Sequence, residues 1–318
     1  MSMVAENGQQ ARGAAQSQAG YRGVVAPIVT PFNADLSPDA ARYVEHARWL
    51  MANGCTGLAP FGTTGEANSL SGAERKALLE ALVRGGVDPR RLLPGTGCCS
   101  LSETAELSRH ALELGCAGVM TLPPFYYKGV SDDGLFAYFG RLIETVADNR
   151  LRIYLYHIPP VAQVGFSVAL VGRLIEAFPE TIVGLKDSSG DWGNTEALLK
   201  AYPGFGTFAG SEVFLLQDLR GGGVGCITAT GNVNPAAIRG VYEQWRGGEA
   251  DTLQAAISAT RKTIQQTPMI PSLKYIIGHY RKDAGWRRTR PPFVDLPEEK
   301  GRALVATLER EHAFRFPL

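Results

Sequence analysis

The chain has 318 residues, 45% of them hydrophobic and 20% charged, with a formal net charge of +1. That balance is typical of a soluble globule and leaves no basic excess to neutralise nucleic-acid phosphates or an anionic membrane surface. Five scattered cysteines, Cys55, Cys98, Cys99, Cys116 and Cys226, fit neither a disulfide framework nor zinc-ligand spacing, so reduced thiols in a cytoplasmic protein are expected.

Residues 1–20, rich in Gln, Ala, Gly and Ser, read as a disordered lead-in. From Tyr21 onward, short apolar runs alternate with amphipathic stretches of helical length. Strands are expected at 23–30, 56–61, 92–96 and 117–122. Helices are expected at 38–53, 71–84, 102–114 and 131–148, the second opened by Ser71 and Glu74 in capping-box spacing. The second half keeps the cadence, with strands at 152–156, 182–186, 206–209 and 225–229. Helices at 167–178, 194–202, 212–220 and 235–246 follow them. Unbroken alternation predicts a parallel sheet with right-handed crossovers. Eight units within 21–248 predict an α/β fold of the closed (β/α)8 TIM barrel type rather than an open doubly wound sheet. No Gly-x-Gly-x-x-Gly turn follows the first strand, which argues against dinucleotide binding. Residues 249–318 read as a C-terminal extension of three helices, at 250–267, 272–282 and 297–310.

In such a barrel the reactive groups sit at the carboxyl ends of the strands. Of the strand ends, only the one at 182–186 finishes in a lysine, Lys186. Taken alone it reads as a strand-end lysine that snorkels to solvent. At the edge of an apolar core, however, burial disfavours the ammonium, and a neutral lysine amine attacks ketones to form Schiff bases. Tyr156 ends the preceding strand and belongs at the same mouth. A phenol there, hydrogen-bonded to a hydroxyl such as that of Thr63, can relay protons during carbinolamine formation. The loop Gly62-Thr63-Thr64-Gly65-Glu66 offers two hydroxyls and close backbone approach, the features that hold an anion. The five histidines are dispersed without metal-ligand spacing; only His157 lies at the mouth.

These residues resemble the dihydrodipicolinate synthase / N-acetylneuraminate lyase family of class I, pyruvate-dependent aldolases. The motifs are Gly62-Thr63-Thr64-Gly65-Glu66, Pro124-Phe125-Tyr126-Tyr127, Tyr156-His157-Ile158-Pro159 and Gly184-Leu185-Lys186-Asp187. The resemblance runs from about Tyr21 to the C-terminus. It implies that Lys186 forms an imine with pyruvate or another 2-oxo acid and that Tyr156 is the general acid/base. It further implies that Thr63 is the relay partner, and that Tyr127 completes the relay from a neighbouring subunit of a homotetramer built as a pair of dimers. Thr63 and Thr64 would hold the 2-oxo acid carboxylate, with Gly210 and Ile227 lining the lysine pocket. No cofactor and no metal are implied.

The family's dihydrodipicolinate synthases carry Asn-Val-Pro-Ser-Arg-Thr-Gly after the fifth strand, whose arginine holds the second substrate's carboxylate. Here that loop reads from His157 to Gly165, two residues longer and without arginine, and Gln163 is expected in its place. Glutamine brings hydrogen bonds but no charge. Gly97-Cys98 and Lys186-Asp187-Ser188 are similar instead to 4-hydroxy-2-oxoglutarate aldolases and to sugar-acid aldolases and dehydratases. The expected activity is a Schiff-base lyase of that type acting on a small 2-oxo acid. Dihydrodipicolinate synthesis and a non-catalytic 2-oxo-acid binding protein are the alternatives.

Overall fold

The structure, a computed structural model, describes residues 20–317. The expected lead-in, apart from Gly20, lies outside the described residues.

Short apolar runs become strands and end where the chain can no longer extend a ladder. β1 (Gly23–Ala26) stops before Pro27, which has no N–H, and β2 (Gly57–Leu58) stops just ahead of Pro60. β3 (Val119–Thr121), β4 (Ile153–His157), β5 (Ile182–Asp187), β6 (Gly206–Ala209) and β7 (Gly225–Ile227) follow, each ahead of a helix. All pairings are parallel, and the sheet order is β2-β1-β7-β6-β5-β4-β3.

The strand expected at 92–96 is corrected. It survives only as two bridges, Leu58 to Leu92 and Gly95 to Met120. Pro94 sits in its middle and cannot donate to a ladder. The segment still bonds to both edges of the sheet. Leu93 N–H donates to Leu58 O (2.9 Å) and Gly95 N–H to Pro60 O (2.7 Å), while Met120 N–H donates to Pro94 O (2.9 Å). The sheet therefore curls round until β2 and β3 meet across this segment, giving a TIM-barrel-like α/β fold.

Side-chain caps start the helices close to where the pattern places them. Asp39, Ser71, Ser100, Ser131, Ser167 and Asp191 each accept from a first-turn backbone N–H. Ser71 and Glu74 form the full capping box. Two helices differ from expectation. The one at 212–220 is a 3-10 turn, Glu212–Phe214, leading into Leu215–Arg220, and a short helix, Pro159–Ala162, occupies the loop after β4. Past β7 run Pro235–Gln244, Ala250–Ile264, Met269–Tyr280 and Glu298–His312.

The strands are buried on both faces, as parallel sheets are. Val25, Leu93, Met120, Tyr156, Phe208 and Ile227 belong to one cluster inside the curl. The last helices find their apolar partner: Ile264, Leu273, Ile276 and Leu308 cluster with Val29 and Val233. Among the described residues no helix is long and apolar enough to cross a membrane.

Candidate active site

The β4–β5 ladder sets the geometry. It pairs Tyr154 with Gly184, Leu155 with Leu185, Tyr156 with Lys186 and His157 with Asp187. Register partners share a face of the sheet, so Tyr156 and Lys186 are neighbours by construction. The Lys186 Nζ lies over the Tyr156 ring, 4.2 Å from its centroid. Lys186 is only 3% exposed. Gly184, two residues earlier, is required by packing. A Cβ there would approach Gly206 O and the Tyr154 ring to 2.5 Å, so a side chain would push the strands apart.

Thr63 arrives from the other side, on a 3-10 turn, Thr63–Gly65, after β2. Its hydroxyl is 3.1 Å from the Tyr156 hydroxyl. Two non-glycine residues with left-handed backbone flank the turn, Phe61 (φ 60°) and Glu66 (φ 56°). Such residues persist only where their surroundings impose the conformation. Here Phe61 packs on Tyr43, the Thr30 hydroxyl donates to Gly65 O (2.7 Å), and buried Lys274 pairs with the Glu66 carboxylate. Glu66 also accepts from the Arg290 N–H at 3.0 Å.

Asp187 is a positioning group. Its carboxylate accepts from Ser189 N–H, the Asn194 amide and the Thr195 hydroxyl, each at 2.8 Å. Its carbonyl accepts from Gly210 N–H at 2.7 Å, and a Cβ on Gly210 would come within 2.5 Å of that oxygen. Ser188 N–H donates to His157 O at 2.7 Å. These bonds lock the turn that follows the lysine.

A cavity of ≈ 540 Å³ opens above Lys186, lined by Thr63, Thr64, Tyr156, Ser188 and Gly210 among others. Five of the residues expected from sequence are thus brought together around the lysine. The others stand elsewhere. Ile227 is fully buried beneath, in the cluster with Tyr156 and Phe208. His157 is buried and outside the lining, its Nδ1 accepting from Phe166 N–H at 2.9 Å. Burial pulls its pKa down, with the Asp187 charge opposing. Gln163 is exposed, ends the short Pro159–Ala162 helix with left-handed backbone, and is not in the lining. Tyr127 is 73% exposed on the loop after β3 and does not reach the cavity of its own chain.

The cavity also contains residues that the strand-end rule misses. Arg261, Lys262 and Gln265, at the end of the helix Ala250–Ile264, line its far wall. Arg261 Nη1 is bonded to Glu212 Oε2 (3.2 Å) and Thr228 Oγ1 (3.3 Å). The one sequence signal for them was three polar residues spaced at helical intervals beside apolar ones, a pattern shared by any surface helix.

The arrangement is a buried lysine beside a pair of hydroxyls and a tight threonine-bearing turn, which is suited to carbonyl chemistry. Residues 20–311 match the dihydrodipicolinate synthetase family. A DapA-like lyase of Chloroflexus aurantiacus is 34% identical over 293 residues, 91% of this chain and 96% of the relative. The crystal structure of dihydrodipicolinate synthase from Agrobacterium tumefaciens is similar, with a TM-score of 0.85 and 33% identity over 91% of this chain and 99% of that one. So is YagE, a prophage protein of the dihydrodipicolinic acid synthase family from E. coli in complex with pyruvate. Its TM-score is 0.83, at 28% identity over 91% of this chain and 98% of that one.

Proposed function

The chain belongs to the dihydrodipicolinate synthetase family, a family of class I lyases, and we propose that it forms a Schiff base between Lys186 and pyruvate or a related 2-oxo acid. The observation that carries this reading is the buried Lys186 in register with Tyr156, whose hydroxyl meets Thr63. The amine adds to the C2 carbonyl, the carbinolamine loses water, and the iminium withdraws electrons from the bond broken at C3–C4 or from the C3 proton. Tyr156 carries the protons of addition and dehydration, with Thr63 as its partner. Thr64 and the backbone of the Thr63–Gly65 turn hold the carboxylate.

In this reading residues 21–248 are the (β/α)8 barrel and 249–318 its three-helix extension. The assembly is a homotetramer, in which the exposed Tyr127 of one copy enters the site of the next and completes the relay. The substrate is a 4-hydroxy-2-oxoglutarate or a 2-keto-3-deoxy sugar acid, as the lack of an arginine after β4 favours.

Borohydride reduction in the presence of pyruvate, followed by peptide mass mapping, is the test. Adduct mass on the peptide holding Lys186, and loss of turnover in Lys186→Ala, are expected. An unmodified Lys186 together with a fully active Lys186→Ala variant sinks the proposal. The likeness to dihydrodipicolinate synthase from Agrobacterium tumefaciens favours a second reading, condensation of pyruvate with aspartate semialdehyde. Parallel assays of that pair against the two hydroxylated 2-oxo acids separate the readings.

A further inference from the structure

The cavity holds more positive charge than imine formation uses. The lysine, arginine and carboxylate residues of its lining are Lys186, Asp187, Arg261 and Lys262. Two of these are already satisfied by protein groups. The Asp187 carboxylate accepts three hydrogen bonds from Ser189, Asn194 and Thr195. Arg261 is paired with Glu212, whose carboxylate is 1% exposed and also bonded to the hydroxyls of Thr228 and Thr230. Glu212 therefore presents no free charge to a ligand. With Lys186 committed to the reacting carbonyl, Lys262 is the cation of the cavity lining left for another group. It is exposed at the rim and, among the described residues, makes no ion pair.

Its neighbours are arranged to help. Gln265, three residues on, lies on the same helix face and also lines the cavity. The Arg261 side chain is 11% exposed, and its Nε has no protein partner. Held in its pair with Glu212, Arg261 is a fixed, charge-balanced wall behind Lys262. Gln163, by contrast, is outside the lining, so the loop after β4 brings no polar side chain to this end.

Resting on the reading of Lys186 as the imine lysine, we infer that Lys262, with Gln265 beside it and Arg261 behind it, binds a second anionic group at the distal end of the substrate. The preferred substrate class is then a dicarboxylic 2-oxo acid, one carboxylate on the Thr63–Gly65 turn and the other at the end of the helix Ala250–Ile264. A sugar acid, whose distal end is neutral, leaves Lys262 without a partner.

Half-saturation of borohydride trapping reads this without needing turnover. The probes are 2-oxoglutarate, which carries a distal carboxylate, and 2-oxobutyrate, which does not. The wild-type enzyme is expected to trap 2-oxoglutarate at the lower concentration. Lys262→Gln should raise that concentration about tenfold, the size of one charge-assisted contact, and move 2-oxobutyrate less than about twofold. Lys262→Arg should restore most of the preference, and added salt should erode it. Equal half-saturation of the two acids in the wild type, or the same shift for both in Lys262→Gln, overturns the inference. If trapping on Lys186 fails altogether, the imine reading falls and this one with it. If trapping succeeds without discrimination, only the distal site falls.

Discussion

The two sides of the site are held in place by different means. On one side, Tyr156 and Lys186 stand on β4 and β5, whose ladder has five register pairs, and the sheet itself sets their separation. On the other, Thr63 and Thr64 follow a two-residue strand, next to a segment reduced to isolated bridges. The sheet there is too thin to hold the turn. Side chains take over: the buried Glu66–Lys274 pair, Arg290 bonding to Glu74 and to Leu36 O, and Phe61 on Tyr43. Lys274 and Arg290 both come from beyond the last strand. The carboxyl-terminal helices are thus part of what shapes the Thr63 side of the cavity, while the Tyr156–Lys186 pairing is set within the sheet.

The contrast can be broken from either side. Tyr156→Phe removes one hydroxyl from the sheet-held side, at a cavity wall where water replaces the lost partner. We expect kcat to fall by about 10²–10⁴, the usual worth of a positioned proton carrier, with the urea midpoint unchanged. A matching loss of stability would mean that the hydroxyl is structural.

Lys274→Met acts on the helix-held side. It leaves the Glu66 carboxylate buried without its cation and should cost about 3–5 kcal/mol in urea unfolding. The Thr63 turn should loosen, so kcat falls too, while borohydride trapping of pyruvate on Lys186 persists. The double variant Glu66→Gln/Lys274→Met should recover much of the stability, since no lone charge remains. Loss of trapping in step with kcat would show that the two sides are not separable.

Acid should loosen the helix-held side as well. His46 is fully buried between Trp49 and Trp286, and it bonds Asn232, which ties the segment following β1 to the loop after β7. Burial first, then the Arg281 cation, lower its pKa from 6.5 to about 3, against the Asn232 hydrogen bond. The folded value lies below the unfolded one, so the unfolded chain takes up the proton first as pH falls. The contribution is fully present above about pH 6.5 and is lost from there down to about pH 3, at roughly 1.4 kcal/mol per pH unit. Unfolding free energies from urea titrations across that interval should fall with this slope, and His46→Leu should flatten it. An unchanged slope in the variant would assign acid sensitivity to other groups.

Much of this is legible in the sequence. Apart from the short Pro159–Ala162 helix and the 3-10 start of 212–220, periodicity located the helices and seven of the strands, because a strand buried on both faces is a short apolar run and a capped helix carries its own start signal. It overread 92–96, where Pro94 breaks the ladder although the composition is apolar. Lys186, Tyr156, Thr63, Thr64, Ser188 and Gly210 were legible because strand ends and tight turns are local features that alternation places at one mouth. The exposure of Gln163 was not, since the added residues coil into the Pro159–Ala162 helix and carry it out of the cavity.

By itself, then, the sequence determined the parallel β/α cadence, the caps and which strand ends in a lysine, all properties of neighbours along the chain. Tertiary structure alone decided that Lys274 meets Glu66, far away in the chain, and that Arg261 and Lys262 close the far wall. The reason is physical. A charged residue on a helix looks the same in sequence whether it faces solvent, a buried carboxylate or a substrate cavity. Only the packing of that helix against the barrel chooses among them.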